Sequence, residues 1–243
     1  MIRALIFDFN GVLVDDEHLH FELFREVLSR EGVELSAEQY HEQYLGLDDR
    51  GCFEAALRDA GQEAGRDRVD DLIARKAGRY VESAETGLRY FPDAAGRLAE
   101  LAGRWPLAIC SGALRPEIEF ALGQLGRREH VMAIVSAEDT TRCKPDPQGY
   151  QLALAALRTQ GDAYLGDLRP DECLVIEDSL AGVASAKGAG MWAVGIAQTY
   201  EPAELRSAGA DAVLPVLEDL SALWIERTFF TLCGAGDGGN GDG

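Results

Sequence analysis

The sequence predicts an α/β fold, a Rossmann-like doubly wound parallel sheet carrying an inserted four-helix cap, and two observations predict it. From Phe91 onward, short apolar runs alternate with helix-like stretches, the pattern of β-α units joined by right-handed crossovers. Between residues 17 and 88 the strand-like runs vanish and apolar residues recur at helical spacing instead. The expected organisation is a core domain of residues 1–16 and 89–230, a helical cap of residues 17–88, and a disordered glycine-rich tail of residues 231–243.

The elements follow in order. Ala4 to Phe7 reads as a buried parallel strand that delivers Asp8 to its C-terminal end, where open α/β sheets place ligands. Gly11 turns the chain, and Val12 to Val14 leads into the acidic cluster Asp15, Asp16, Glu17. Leu19, Leu23 and Val27 mark a first cap helix that Gly32 ends. Ser36-Ala-Glu-Gln39 has capping-box spacing and opens a second helix, closed by Gly46. Asp48 or Asp49 caps a third, and Val69 to Val81 forms a fourth. Strands are then expected at Leu107–Cys110, Val131–Val135, Cys173–Ile176, Trp192–Ile196 and Ala212–Val216, with helices between them.

At 243 residues and 47% hydrophobic content the chain can bury a sizeable core. The net charge of −19 argues against nucleic acid and anionic membranes, which bind clustered Lys and Arg. The first apolar run is too short for a signal peptide and no stretch is long enough to span a bilayer, so the expected location is cytoplasmic. Five scattered cysteines without C-x-x-C spacing read as reduced thiols. Lysine occurs only at Lys76, Lys144 and Lys187, so a catalytic lysine is one of these.

Four polar groups stand at the C-terminal ends of expected strands: Asp8, Ser111-Gly112, Lys144 and Glu177-Asp178. Each has an ordinary structural role on its own, as N-cap, loop lysine or helix-start carboxylate. Together they supply carboxylates for a hard cation, a hydroxyl and helix N-terminus for phosphate oxygens, and an ammonium beside a nucleophile.

The run Asp8-Phe9-Asn10-Gly11-Val12-Leu13, then Ser111-Gly112, Lys144-Pro145-Asp146-Pro147 and Glu177-Asp178-Ser179, resembles the haloacid dehalogenase superfamily in its phosphatase and β-phosphoglucomutase-like branch. The resemblance implies that Asp8 is the nucleophile, that Ser111 and Lys144 hold the phosphoryl group, and that Mg2+ is bound by Asp8, the backbone carbonyl of Asn10, Asp178 and Glu177. Gly11 and Gly112 would flank the phosphoryl group. Arg50 and Lys76 are the cap cations to watch for substrate contact, and a sugar-phosphate mutase is the alternative enzyme. The expected partner is a small phosphorylated metabolite, handled by a monomer or weak dimer.

Residue 10 departs from the pattern. The family's phosphatases carry there an aspartate that protonates the leaving oxygen, and an amide cannot give up a proton at accessible pH. A slow or specialised phosphatase, a catalytically silent phosphometabolite binder and an altered sequence all fit this change. His20, early in the cap, is the nearest alternative proton carrier, or else a histidine that packs the hinge.

Overall fold

The structure, a computed structural model, describes residues 1–45, 47–161 and 163–235, without the side chains of 231–235. Six parallel strands form one sheet: β1 (Ala4–Phe7), β2 (Leu107–Cys110), β3 (Val131–Val135), β4 (Cys173–Glu177), β5 (Trp192–Ile196) and β6 (Ala212–Leu214), in the order β3-β2-β1-β4-β5-β6. β1, β2 and β4 are buried at every position, which is why they read as unbroken apolar runs. Successive residues face opposite layers. Leu5 and Phe7 join a core with α5 (Ala94–Ala102), α6 (Arg115–Leu125) and α10 (Ala222–Ala235), while Ala4 and Ile6 join one with α7 (Gln148–Gln160), α8 (Leu180–Gly188) and α9 (Pro202–Ser207). Helices therefore cover both faces, as expected for a doubly wound sheet.

Between β1 and α5 lie α1 (Glu17–Ser29), α2 (Ala37–Gln39), α3 (Asp49–Asp59) and α4 (Arg66–Ala84). Phe24, Tyr44, Phe53, Leu57 and Leu72 form a separate apolar core within this segment. The expected second helix is only one turn long. Ser36 Oγ accepts from Gln39 N at 3.1 Å as the capping box requires, but the chain then widens into a π-helical turn, Tyr40–Tyr44, that buries both tyrosines. Gly46, expected to close that helix, lies outside the described residues. Among the described residues no helix is long and apolar enough to cross a membrane.

The C-terminus differs from expectation. α10 continues to Ala235, past the start expected for a disordered tail at 231, because Ile225 and Phe229 anchor it on the core. The remainder of the expected tail, residues 236–243, lies outside the described residues.

Candidate active site

The strand order reverses between β1 and its neighbours β2 and β4, so the crevice beyond their C-terminal ends is the topological switch point where such sheets bind ligands. Asp8 follows β1, and its backbone N–H donates to Ile176 O at 2.9 Å, keeping it in register with β4. Glu177 closes β4 and Asp178 follows it; Ser111 follows β2; Lys144 enters from the loop between β3 and α7. The fold thus gathers all four groups separated in sequence.

Lys144 Nζ is 2.8 Å from Asp8 Oδ1 and 2.6 Å from Glu177 Oε1. Burial works against the Lys144 charge, but these two carboxylates outweigh it and hold its pKa above the usual lysine range. Glu177 has no exposure and is fully engaged. Tyr150 OH donates to Oε1 at 2.8 Å, while Oε2 accepts from the backbone N–H of Asp178 and of Ser179 and from Ser179 Oγ. Its pKa stays below the usual value because Lys144 and these donors overcome burial. Glu177 therefore anchors Lys144.

Asp8, Glu177 and Asp178 each present an oxygen within 4.8 Å of the others. Burial raises the Asp8 carboxyl to about 6, against the pull of Lys144. Burial, followed by the like charges of Glu177 and Asp8, pushes Asp178 well above the carboxylate range. Asp178 accepts from Thr199 Oγ1, and such a crowded, oxygen-only donor set fits a hard divalent cation. Gly11, at φ 75°, is required here: a Cβ on it would sit 2.1 Å from Asp178 Oδ2.

Ser111 Oγ accepts from Ala113 N at 3.1 Å and lies 3.4 Å from Asn10 Oδ1, beside the nucleophile. Gly112 lies against Asp48 of the helical segment, where a Cβ would still have room at 3.6 Å. The Asn10 amide donates to both oxygens of Asp16 at 2.9 Å and lies 3.2 Å from His20 Nε2. Asp16 also accepts from Tyr80 OH at 2.6 Å. Burial opposes its charge, but His20, Asn10 and Tyr80 prevail, and the carboxyl lies below its usual range. His20 Nδ1 is 2.8 Å from Lys76 Nζ. Burial and the Lys76 charge oppose a charge on His20, but Asp16, 3.2 Å from Nε2, prevails and holds the imidazole pKa above its usual value, keeping a proton on Nε2 that faces Asp16. His20 is thus held between two partners in the hinge.

The two cap cations do not fulfil the expectation. Arg50 pairs with Asp70, and Lys76 is sealed with no exposure against Asp49, at 2.7 Å, and His20. Neither lines the cavity above Asp8. Asp16, Tyr80, Tyr150 and Thr199 are the participants that sequence reasoning missed. Only Asp16 carried a signal, as part of an acidic cluster that reads equally well as a hinge.

The family of "haloacid dehalogenase-like hydrolase" matches residues 2–190. The chain is 30% identical over 223 residues to validoxylamine A 7'-phosphate phosphatase of Streptomyces hygroscopicus subsp. limoneus, covering 90% of this chain and 96% of that protein. It superposes on CbbY from Rhodobacter sphaeroides, solved in complex with phosphate, with TM-score 0.77 and 28% identity over 90% of this chain and 96% of that one. A β-phosphoglucomutase from Clostridium difficile shares the fold, with TM-score 0.82 at 20% identity, over 96% and 100% of the two chains.

Proposed function

Since the chain belongs to the haloacid dehalogenase-like hydrolases, we propose that it is a magnesium-dependent phosphomonoester hydrolase of a small phosphorylated metabolite. The observation that carries this reading is Lys144 Nζ, held 2.8 Å from Asp8 Oδ1 by its anchor Glu177. An ammonium fixed there offsets the repulsion between an anionic phosphoryl group and a carboxylate nucleophile. Asp8 attacks phosphorus, the ester P–O bond breaks, and its electron pair leaves with the alcohol oxygen. Water then attacks the aspartyl phosphate, releasing inorganic phosphate and restoring Asp8. Ser111 orients a phosphoryl oxygen. Mg2+, held by Asp8, the residue-10 carbonyl and Asp178, would supply further charge neutralisation at the phosphoryl oxygens.

Hydrolysis is favoured over phosphoryl return to a bisphosphate because neither Arg50 nor Lys76 lines the cavity to receive a second phosphate. The segment 17–88 serves as the cap. Its Asp48 meets the core at Cys143, whose Sγ donates to Asp48 Oδ2 at 2.9 Å, and its His20 meets Asn10. With the Asn10 amide committed to Asp16, no proton donor stands at residue 10. The enzyme should hydrolyse alkyl phosphates slowly and tolerate aryl or acyl phosphates, whose leaving groups need little protonation. The test is phosphate release with Mg2+ from p-nitrophenyl phosphate, acetyl phosphate and a panel of sugar phosphates, in wild type and Asp8→Asn. Release from none of them, or release that survives Asp8→Asn, overturns the reading.

A further inference from the structure

Tyr150 stands behind the crevice rather than in it. It sits in the first turn of α7, is fully buried, and does not line the cavity above Asp8. Its hydroxyl donates to Glu177 Oε1 at 2.8 Å, the same oxygen that Lys144 Nζ meets at 2.6 Å, and the centre of its ring lies 5.3 Å from that Nζ. Tyr150 thus contacts the lysine through its ring and shares the lysine's anchor through its hydroxyl.

The surroundings leave Glu177 no other place. A Cβ on Gly182 would lie 1.7 Å from Oε1, so the carboxylate fills the space at the start of α8 that glycine leaves open. Oε2 is taken by the backbone N–H groups of Asp178 and Ser179 and by Ser179 Oγ, and Oε1 is the oxygen that meets Lys144. The loop carrying Lys144 is fixed as well: the buried Ser185 Oγ donates to Asp146 O at 2.7 Å. Within this frame the ammonium has three hydrogens. One goes to Glu177 Oε1, one to Asp8 Oδ1, and the third is left for a phosphoryl oxygen. Oε1 in turn divides its negative charge between the tyrosine hydrogen and the ammonium. Without the hydroxyl, Oε1 would be met by Lys144 alone, and a carboxylate with one donor fewer draws a cation more strongly to itself.

Building on the hydrolase reading, we propose that Tyr150 is a positioning residue: by sharing Glu177 Oε1 it keeps Lys144 from collapsing onto its anchor and holds the ammonium toward Asp8 and the phosphoryl group. It acts through Lys144 and touches no reacting atom. One net hydrogen bond corresponds to about 3- to 10-fold in anion affinity.

The experiment titrates inorganic phosphate into the protein by calorimetry with Mg2+ present. Tyr150→Phe, which keeps the ring, and Tyr150→Met, which refills the space with a flexible chain, both remove the donor. Each should weaken the phosphate Kd about 3- to 10-fold at an unchanged number of sites per chain, and kcat/KM for p-nitrophenyl phosphate should fall by a similar factor. A tyrosine that served packing only would lower the number of competent sites or the melting temperature and leave the Kd of the folded fraction alone. In a Lys144→Met background the effect should vanish, since the group it acts through is gone. An unchanged Kd in Tyr150→Phe, or an equal loss with and without Lys144, overturns the proposal and leaves the hydrolase standing. Absence of phosphate release from every ester, with the Tyr150 effect on the phosphate Kd present, overturns the hydrolase reading instead. Phosphate bound by wild type no more tightly than by Lys144→Met overturns both.

Discussion

Asn10 shows how one side chain sets the chemistry through its neighbour. Its amide gives hydrogens to both oxygens of Asp16. Asn10→Asp alone would replace those donors with a second carboxylate facing an ionised one, and the pair would have to share a proton. The new carboxyl's pKa would rise above its unfolded value, so the variant is most stable at low pH and loses stability as pH rises through the raised pKa. Exchanging both residues, Asn10→Asp with Asp16→Asn, keeps the hydrogen bond with its direction reversed. The double variant should hydrolyse sugar phosphates about 10²- to 10⁴-fold faster than wild type, and melting curves between pH 5 and 8 should show the pH-dependent loss in the single variant only. Cys143 offers a second test at this scale. Burial, followed by the hydrogen bond to Asp48, pushes its thiol up to about 12, so it stays protonated and slow to alkylate at pH 8 although it is exposed. Peptide mass spectrometry after iodoacetamide treatment should show labelling that rises with pH well beyond 9 and speeds up at pH 8 in Asp48→Ala. Asp8, Ser111, Glu177 and Asp178 were legible as candidates because each ends or directly follows an apolar strand run, and Lys144, in the loop beyond β3, because the chain has only three lysines. The Asn10–Asp16–Tyr80 contacts were not, since a pairing across 64 residues leaves no periodic trace.

Among the elements, strands were the easier to read: a fully buried parallel strand must be apolar throughout, and β1, β2, β3 and β5 fall on their expected bounds. The π-helical turn at Tyr40–Tyr44 escaped, because one extra residue per turn hardly alters an amphipathic pattern. α10 was obscured by the glycines that follow it, although Ile225 and Phe229 four residues apart form its packing face. The loops after β1 and β4 make a prediction of their own. Their facing carboxylates, Asp8 and Asp178, repel each other in a buried crevice, and a cation that binds only the folded chain raises stability by mass action. Millimolar magnesium should raise the melting temperature of wild type by a few degrees and have less effect on Asp178→Ala. Equal responses would remove Asp178 from the cation site.

Over the whole molecule, the excess of 42 acidic over 23 basic side chains surrounds the crevice with a negative field. A phosphate ester approaches against that field, held off until Lys144 and a cation take over at short range. Salt screens the long-range part, with a Debye length of about 10 Å at 0.1 M. At fixed magnesium, raising potassium chloride from about 20 to 200 mM should therefore increase kcat/KM for p-nitrophenyl phosphate severalfold, the reverse of an enzyme that steers its substrate in. A fall over the same range would mean that local positive potential at the crevice outweighs the net charge.

The contact between Asn10 and Asp16 also bears on how this protein can change over generations. A single codon change that placed an acid at residue 10 would arrive beside an ionised neighbour and be penalised at neutral pH before its benefit was felt. Asp16→Asn first would leave one amide oxygen to accept from both the Tyr80 hydroxyl and the Asn10 amide, where the carboxylate offers two. Either order passes through a worse intermediate, so residues 10 and 16 exchange favourably only as a pair.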